Sequence, residues 1–431
     1  MSRTTTLIAT VAGLALLAPS GRDISAHGGG GSPTALYQWN QILQDTIPGG
    51  GGAGAPRFYA ITHIAIFDAV NAIEREFEPY FVPLRNPANG SAEAAAAQAA
   101  HDVLVALNPA ATTAYDTLLQ QQLGSNPNGF VRQGAQVGAR TAAKVLAWRQ
   151  HDGWIVSPFP PYSEPLLPGR WQPTPPNNPV PTFTHVQQAE PLAMVTPTQF
   201  LPVPPPILTS ATYATDLNEV KLIGKSDSAT RSPEQTAIAR LWASVAASGS
   251  GTATHNFAIW NNIARDLSQE RQMTLVEAAR LFAMMNVSIH DALHTTLTSK
   301  FVYGVWRPVT AVRQADTDLN AATDPDPNWL PLLTTPPYPA YAGNMATIGA
   351  SAARALQLVL GTNRAQVHAT WKQSGGQPDV THTFNTIGGV AKEQSESRIY
   401  GGIHYRFDQV AGQKAGIEVA EYVFGNFMTP R

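Results

Sequence analysis

The chain contains no cysteine among its 431 residues. This absence excludes disulfide bonds, thiolate-bound zinc, iron–sulfur clusters and cysteine nucleophiles. Charge is also scarce, since only 13% of the residues are Asp, Glu, Lys or Arg and the formal net charge is −2. The basic residues are scattered, so the electrostatic footprint of a nucleic-acid-binding protein is missing. We therefore expect no DNA or RNA binding, and a fold stabilised by packing.

Long apolar runs are scarce too, and the one that stands out lies at the N-terminus. Arg3 precedes an apolar stretch over residues 7–17, which Pro19 interrupts. About eleven apolar residues are too few to span the roughly 30 Å of hydrocarbon in a bilayer. The segment therefore predicts a signal peptide over residues 1–26, cleaved after Ala26, rather than a membrane anchor. We expect a secreted or periplasmic protein with no membrane span after cleavage.

Glycine and proline are plentiful, with 34 and 35 residues respectively. Glycine-rich sequence predicts a flexible linker over residues 27–33 and a second mobile stretch over 49–54. Proline crowds residues 156–207, where it forbids regular helix and discourages central strands. Trp171 and nearby phenylalanines favour a crossing that packs on the body of the protein over a disordered linker.

Hydrophobic periodicity predicts helices along most of the chain. Apolar residues recur at helical spacing over residues 58–73, just after Pro56. Thr274 and Glu277 have the spacing of a capping box at the start of another helix. Further helices are expected at 92–107, 111–123, 129–151, 211–223, 233–248 and 344–361, and on both sides of the glycine pair 401–402. With no series of alternating strands, we expect an all-α fold. It comprises two packed helical bundles in one domain, 34–431, with halves of about 34–155 and 208–428.

Two cations stand close together in the segment Lys300-Phe-Val-Tyr-Gly-Val-Trp306-Arg307-Pro308. Seven residues are about two helical turns, so both cations would face one side if the backbone between them stayed near-helical. Taken alone, the pair is also compatible with two solvated surface charges. Trp306 and Tyr303 beside the cations are candidates for lining a substrate pocket or for core packing.

A second segment, ESRIYGGIHYRFD at residues 396–408, combines an arginine, two glycines, a histidine and an aspartate. Arg398 can bind an anion through its planar fork of donors, and the glycines let backbone approach closely. His404 and Asp408 are four apart, so at the start of a helix the carboxylate can orient the imidazole. A histidine oriented in this way serves as a nucleophile or as a ligand to an electrophilic centre.

Together the segments have the pattern Lys-x6-Arg-Pro followed by Ser-Arg-x5-His-x3-Asp. This pattern resembles the signature of vanadium-dependent haloperoxidases and type 2 phosphatidic-acid-phosphatase-like enzymes. The helix at 63–73, the Trp171-Gln-Pro-Thr-Pro-Pro176 crossing and the segment 397–408 look like bacterial members. The resemblance covers roughly residues 34–428.

The resemblance implies a haloperoxidase/acid-phosphatase-like helical fold that binds vanadate, or phosphate in the same place. It implies that Lys300, Arg307 and Arg398 surround the equatorial oxygens of the anion. His404 is implied on the apical side, as the ligand to vanadium or as the nucleophile toward phosphorus, with Asp408 supporting it. Vanadate mimics the five-coordinate transition state of phosphoryl transfer, so several fixed cations suit both chemistries.

The sequence departs from the family between these two segments, where Pro-Ser-Gly-His is expected. In the family the serine and a backbone N–H touch the oxyanion, and the histidine is the acid/base. Here the stretch Pro339-Ala-Tyr-Ala-Gly-Asn-Met places Gly343 in the serine position and Met345 in the histidine position. Methionine cannot transfer a proton near neutral pH, a loss that typically costs about 10²- to 10⁴-fold in rate. A helix starting near Asn344 would still direct backbone N–H groups at the anion, and the Asn344 side chain is a further donor.

Four other histidines are candidates to replace the lost acid/base. His290 and His294 are four apart on one predicted helix, and with Asp291 they are candidates for the pocket or for a divalent metal. No third ligand follows by spacing. His63 and His382 are further candidates for the pocket. Packed or surface roles are the alternative for all four.

Three functions follow from these residues and from the resemblance. The first is a haloperoxidase-like oxidoreductase, in which His404 ligates vanadium and Lys300 polarises hydrogen peroxide for oxidation of halide, with an organic acceptor. The second is an exported acid-phosphatase-like phosphoesterase with His404 as the nucleophile. The third is an oxyanion-binding homologue with neither activity, which the Gly343 and Met345 replacements motivate. We rank them in that order, and the resemblance also implies a homodimer, since family members often associate through helical faces.

Overall fold

The computed structural model describes residues 31–47, 54–83, 88–244, 255–372 and 378–431. The predicted signal peptide lies outside these residues, as do most residues of the two glycine-rich stretches. Within the described ranges, no helix combines the length and apolar character that a membrane crossing requires.

The described residues form thirteen α-helices and one small sheet. In chain order the helices are α1 Thr34–Thr46, α2 Gly54–Glu74, α3 Ala92–Leu107, α4 Thr112–Leu123, α5 Gly129–Arg149, α6 Ala211–Ile223, α7 Pro233–Ser244, α8 Asn256–Glu270, α9 Leu275–Tyr303, α10 Pro308–Arg313, α11 Asn344–Leu360, α12 Ile387–Tyr400 and α13 Arg406–Asn426. The antiparallel strands are β1 Arg364–Trp371 and β2 Val380–Thr386. The expectation of an all-α fold is confirmed, with this hairpin as a small addition.

Local signals in the sequence account for several helix starts. The capping box at the start of α9 is present, because Thr274 Oγ1 accepts from the Glu277 N–H and the Glu277 carboxylate accepts from the Thr274 N–H. Ser91 and Ser210 cap α3 and α6 through side-chain oxygens that accept backbone N–H bonds. Two of the expected ranges, 92–107 and 211–223, coincide with α3 and α6.

Helix α9 is the element on which the rest of the fold is assembled. It is 29 residues long and packs against α2 on one side and against α11 and α13 on another. Nearly all of its side chains are buried, and its apolar ones belong to one large cluster to which α1, α2, α3, α8 and α11 also contribute. Because α9 is held over its whole length, its C-terminal turn, which carries Lys300, is fixed in position.

A second, smaller core lies beside the C-terminal end of α9. It packs Trp306, Tyr341 and Tyr405 with apolar residues of α6 and α10. These aromatic residues are next in sequence to Arg307, the 342–343 loop and His404, so the segments on which the predicted site residues lie are fixed by their neighbours. The division of the chain into halves 34–155 and 208–428 stays a prediction.

The proline-rich crossing follows an irregular but packed path. Between residues 157 and 206, all of which the structure describes, the chain forms a single 3₁₀ turn at Val186–Gln188. Trp171 is only 2% exposed, and its backbone N–H donates to the Gly304 carbonyl at 2.7 Å. The crossing is therefore attached to the end of α9, as the aromatic residues in it led us to expect.

Two buried carboxylates fasten irregular segments to the long helices. Asp291 on α9 accepts three successive backbone N–H groups, from residues 192 to 194, at 2.7 to 2.8 Å. Asp68 on α2 accepts N–H groups from residues 80 to 82 at 2.7 to 2.9 Å. Burial raises the pKa of Asp68 to about 6, while the backbone N–H groups oppose that shift. Each carboxylate satisfies donors that a loop alone would leave unpaired.

Candidate oxyanion site

Helix α9 ends three residues after Lys300, so the continuous near-helical path to Arg307, on which a common facing of the two cations was conditional, is absent. Helix α9 stops at Gly304, which adopts the left-handed conformation with φ of 59°. The chain then runs extended to Arg307, which precedes Pro308 at the start of α10. Both cations are nonetheless 0% exposed, so the alternative of two solvated surface charges is excluded.

Lys300 extends from the last turn of α9 into the protein interior. Its Nζ donates to the carbonyl oxygens of Ala340 at 2.8 Å and Ala342 at 2.6 Å. Burial lowers the pKa of the Lys300 ammonium well below its usual value, and the Arg307 charge lowers it further. The loop ahead of α11 therefore orients this cation without neutralising it.

Arg307 connects three parts of the site. Its Nε donates to the Tyr338 carbonyl at 2.7 Å, and Nη1 donates to the Ile403 carbonyl at 2.9 Å and to His404 Nε2 at 3.1 Å. Its Nη2 is buried and has no hydrogen-bond partner within the described residues. Burial lowers the pKa of this guanidinium.

Arg398, near the end of α12, is the third cation and is 4% exposed. Its Nε donates to the neighbouring Ser397 Oγ at 3.1 Å, and its Nη2 is buried without a partner in the described part of the chain. Burial lowers the pKa of Arg398 to about 10. All hydrogen bonds of the three cations thus go to neutral acceptors. Across the described ranges, no carboxylate lies within ion-pair distance of any of them.

His404 lies two residues before α13 begins, and Asp408 lies in the first turn of that helix. Asp408 Oδ2 is 2.8 Å from His404 Nδ1 and also accepts the Tyr405 N–H at 3.2 Å. The expected pairing of the two side chains is present, although His404 itself is outside the helix.

The tautomer of His404 follows from its two partners. Arg307 can only donate, so the ring nitrogen that it contacts, Nε2, carries a lone pair and the proton is on Nδ1. Burial lowers the pKa of His404 well below its usual value, and the three nearby cations lower it further. Burial raises the pKa of Asp408 to about 7, against the influence of Lys300. The ring is therefore neutral, with Nε2 turned toward the cations.

The altered motif lies at the start of α11. Gly343 precedes the helix without a side-chain cap, and its N–H donates to the Asp408 carbonyl at 2.9 Å. Asn344 Oδ1 is buried without a partner among the described residues. Met345 Sδ accepts from Asn256 Nδ2 at 3.3 Å and lies 3.8 Å from Gln394 Nε2. The position at which the family has its acid/base thus presents a thioether packed against amides.

Tyr338 belongs to the site but was not identified from the sequence. Its ring centroid lies 5.3 Å from Lys300 Nζ and 5.0 Å from Arg307 Cζ, both within cation–π range. Its hydroxyl is 3.5 Å from Asn344 Nδ2. Burial raises the pKa of this phenol, while Arg307 and Arg398 act to lower it. The available signal was its place immediately before Pro339, where the altered motif begins.

The other candidate histidines have packing roles and make no contact with the cations. His290 bonds Asp291 at 2.8 Å, and His294 Nε2 bonds the Val186 carbonyl at 2.8 Å. His63 lies in a buried amide network, and His382 pairs with Glu393 of α12. No group of three or more His, Cys, Asp or Glu within the described ranges could hold a metal ion.

The two aromatic side chains beside the cations have structural roles. Trp306 is 0% exposed in the smaller core. The Tyr303 hydroxyl donates to the Pro202 carbonyl, which ties the proline-rich crossing to the end of α9.

Known proteins resemble this chain in sequence and in fold. Residues 280–430 match the family model described as the VCPO second helical-bundle domain. Vanadium chloroperoxidase of Curvularia inaequalis is 27% identical over 240 residues, which cover 43% of this chain and 38% of that protein. The chain therefore matches well under half of the length of this curated relative.

Two solved structures share the fold over nearly the whole chain. A structure described as the first bacterial vanadium-dependent iodoperoxidase has a TM-score of 0.77 and 22% identity, covering 93% of this chain and 98% of that one. A holo-type bacterial vanadium-dependent chloroperoxidase has a TM-score of 0.70 and 16% identity, covering 90% and 94%. Residues 280–430 are thus similar to the second helical-bundle domain of this family, and the chain as a whole shares the fold of these vanadium haloperoxidase structures.

Proposed function

We propose that the chain binds vanadate between Lys300, Arg307, Arg398 and His404, and uses hydrogen peroxide to oxidise halide. One observation carries this proposal: three cations are buried together, and none of them has a carboxylate at ion-pair distance among the residues that the structure describes. Burying an unpaired charge costs several kcal/mol, so such a cluster is retained where an anion compensates it. The names of the relatives supply the identity of the anion, since all of them are called vanadium enzymes.

The residues fit a tetrahedral oxyanion. Arg307 Nη2 and Arg398 Nη2 are buried donors that lack partners in the described chain, and each suits an anion oxygen. Asn344 Oδ1 is a buried acceptor, which suits a protonated oxygen of the same anion. His404 Nε2 offers a lone pair to the central atom once Arg307 Nη1 leaves it, and that freed N–H is a further donor.

Bound vanadate supplies a Lewis-acidic centre that activates peroxide for a two-electron oxidation. In this proposal His404 remains neutral because the surrounding cations disfavour its protonated form. Asp408 fixes the orientation of the imidazole through Nδ1. Lys300, held by two carbonyl groups, contributes positive charge where negative charge accumulates on oxygen.

Proton delivery is where this chain differs from the family pattern. Met345 has no proton to transfer, and its sulfur is turned to the Asn256 and Gln394 amides. Tyr338 carries a hydroxyl, lies against Lys300 and Arg307, and reaches toward Asn344. We assign to the Tyr338 hydroxyl the proton transfer that Met345 cannot perform.

A phosphatase reaction is the second candidate, because the same Nε2 lone pair of His404 can attack phosphorus. Three cations would again offset the charge on the equatorial oxygens. Without a histidine at position 345, this reaction would favour phosphate esters whose leaving group is already acidic. Oxyanion binding without turnover is the third candidate, which the Met345 environment favours.

The proposal also extends to substrates and location. Relatives in this family act on small molecules, and the proposed substrates are hydrogen peroxide, halide and an organic acceptor. A site whose cations and histidine are at most 4% exposed admits only small species. Export through the segment 1–26 and assembly as a homodimer remain proposals. N-terminal sequencing of the exported protein and light scattering test them.

The test is titration of the purified protein with orthovanadate by calorimetry, followed by a bromide and peroxide assay with a phenol dye on the same sample. Binding together with bromination supports the haloperoxidase proposal. Binding with turnover of an aryl phosphate and no bromination supports the phosphatase, and binding without turnover supports the third candidate. No binding of orthovanadate or phosphate refutes all three.

Histidine variants test whether His404 is the residue that would bind vanadium. We expect His404→Ala to abolish orthovanadate binding. The matched control is His382→Ala, since that histidine lies in β2 and pairs with Glu393 away from the cations. Unchanged orthovanadate affinity in His404→Ala would contradict the assignment of His404.

A further inference from the structure

The space beside Gly343 is already filled by another side chain. A Cβ atom at this position would lie 2.5 Å from Nε2 of Gln409 and 3.0 Å from its Cδ. The first distance is shorter than real Cβ contacts and the second is tight, so a side chain at 343 would require the end of the Gln409 side chain to shift. The glycine that replaces the family's serine is therefore coupled to a glutamine 66 residues later in the chain.

Gln409 is a buried donor without an acceptor. It follows Asp408 on the first turns of α13 and is 2% exposed. Its Oε1 accepts a hydrogen bond from Ser395 Oγ at 3.3 Å, which orients the amide. Its Nε2 has no partner within the described residues, although an unsatisfied buried polar group of this kind typically costs about 1–3 kcal/mol.

The position of this donor relates it to the cations. The residue before Gly343, Ala342, gives its carbonyl to Lys300 Nζ at 2.6 Å. The residue before Gln409, Asp408, holds His404. The amide nitrogen thus lies between the loop that orients Lys300 and the helix that orients His404. Arg307 Nη2 and Arg398 Nη2, on other segments of the site, are likewise buried nitrogen donors without a partner among the described residues.

We propose that Gln409 is an oxyanion-binding residue, whose Nε2 donates to an oxygen of the bound anion in place of a serine hydroxyl at 343. This inference rests on the proposed function, because it takes the same anion as its ligand. It also relates Gly343 to Gln409, because the amide occupies the space that a side chain at 343 would need, so the donor comes from α13.

The test is a double-mutant cycle on orthovanadate affinity, measured by calorimetry. Gln409→Ala removes the donor, and Gln409→Met removes it while keeping the side-chain volume. We expect each to weaken binding about 10- to 100-fold, the effect of losing one hydrogen bond to a charged acceptor. Gly343→Ser alone is expected to weaken binding as well, because its side chain displaces Gln409. The double variant Gly343→Ser/Gln409→Ala is expected to return to within a few-fold of the unmodified protein.

Thermal unfolding without anion separates binding from folding. Gln409→Met removes the unpaired donor together with the acceptor of Ser395 Oγ at similar volume, so we expect its melting temperature to stay close to that of the unmodified protein. Gln409→Ala also leaves a cavity, so we expect it to melt at a lower temperature. Orthovanadate binding within twofold of the unmodified protein in both variants overturns the inference and leaves the proposed function standing. Failure of the unmodified protein to bind orthovanadate overturns both. If the double variant Gly343→Ser/Gln409→Ala binds orthovanadate no better than Gly343→Ser, a serine hydroxyl at 343 does not replace the Gln409 amide, and the inference is contradicted.

Discussion

Replacing Lys300 with methionine distinguishes an anion site from a purely structural cluster. The two side chains have similar length, but methionine has neither the charge nor the donors that contact the Ala340 and Ala342 carbonyls at 2.8 and 2.6 Å. The variant loses these two hydrogen bonds. It also relieves the burial of an ammonium group and its repulsion with Arg307.

We expect Lys300→Met to have a small effect on the free energy of unfolding without anion and a large effect on anion affinity. Two hydrogen bonds from a charged donor contribute about 1.5–3 kcal/mol each, while burying one ion costs several kcal/mol. These terms offset, so we expect a change of no more than about 2 kcal/mol in the free energy of unfolding without anion. With anion bound, one charge pair at about 4 Å is worth about 4 kcal/mol at an effective dielectric constant of about 20. Orthovanadate affinity should therefore fall about 30- to 1000-fold.

Calorimetry and urea unfolding together measure both quantities. The matched control is Lys221→Met, because the Lys221 Nζ also donates to a carbonyl, at 2.6 Å, but at an exposed position. Lys221→Met should leave orthovanadate affinity unchanged. The reasoning fails if Lys300→Met binds orthovanadate normally and loses several kcal/mol of stability, since Lys300 would then be a structural residue.

Proton linkage gives a second readout on the same variant. Burial and Arg307 lower the pKa of Lys300, and a bound anion favours its charged form and raises that pKa again. In alkaline solution, sulfate binding should therefore be accompanied by proton uptake, because sulfate itself does not titrate there. Calorimetry in buffers of different ionisation enthalpy detects the uptake, and Lys300→Met should reduce it to the share that comes from Arg398, whose pKa burial lowers to about 10. Equal uptake in the variant would exclude Lys300 as the source.

Three further substitutions test the proton donor and the fold. Met345→His should keep orthovanadate affinity within a few-fold and raise turnover at least about tenfold, and an unchanged rate would show that position 345 no longer serves proton transfer. Tyr338→Phe keeps the ring over Lys300 and should lower turnover about 10²- to 10⁴-fold at unchanged affinity; wild-type turnover in steady-state assays would exclude the hydroxyl. Asp291→Ala leaves three buried N–H groups unpaired and should lower the free energy of unfolding in urea by about 3 kcal/mol or more, with exposed Asp266→Ala as its control.

The helices that the sequence predicts well are those with local signals. The serine cap of α3 and the Thr274 capping box of α9 can be recognised within four residues, and no tertiary contact is needed to see them. Helix α8 was missed because its start lacks such a signal. The histidine at 255 caps it instead, with Nδ1 accepting the Ala258 N–H at 3.3 Å. Helix α1 was missed too, and it has no side-chain cap.

The β-hairpin could not be predicted for a different reason. In β1 only three alternating apolar residues, Val367, Ala369 and Trp371, are buried, which is too short a pattern to separate from loop sequence. The strand forms because β2 pairs with it and because the Trp371 ring packs edge-on against Trp242 of α7 at 4.9 Å. Both contacts are tertiary, so local periodicity does not report them.

In the site too, the sequence pattern predicts which residues take part, but their arrangement depends on tertiary contacts. The signature identified Lys300, Arg307, Arg398 and His404, but the near-helical path between the first two, on which their common facing was conditional, is absent. Their convergence depends on distant partners: the Lys300 acceptors are 40 and 42 residues away, and the His404 ring is 97 residues from Arg307. Gln409 was missed for this reason, because only the structure shows its amide in the space beside Gly343.

A comparison of arginines within the chain strengthens the case for an anion. Arg406 lies only eight residues after Arg398, is partly exposed, and bonds Glu219 and Glu396 at 2.6 and 2.8 Å. Its carboxylate partners raise its pKa. The buried Arg57 and Arg149 share Asp152 at 2.7 and 3.0 Å.

Arg57, Arg149 and Arg406 thus each have a carboxylate partner, whereas none lies at ion-pair distance to Lys300, Arg307 or Arg398 within the described residues. The buried Arg280 also lacks a carboxylate, but its guanidinium lies over the Phe77 and Phe424 rings. In our proposal, an external anion offsets the cost of burying these three cations when it binds. The replacements at 343 and 345 change none of these charges. They alter one neutral donor and the proton supply, so any functional divergence of this chain should appear in turnover before it appears in anion affinity.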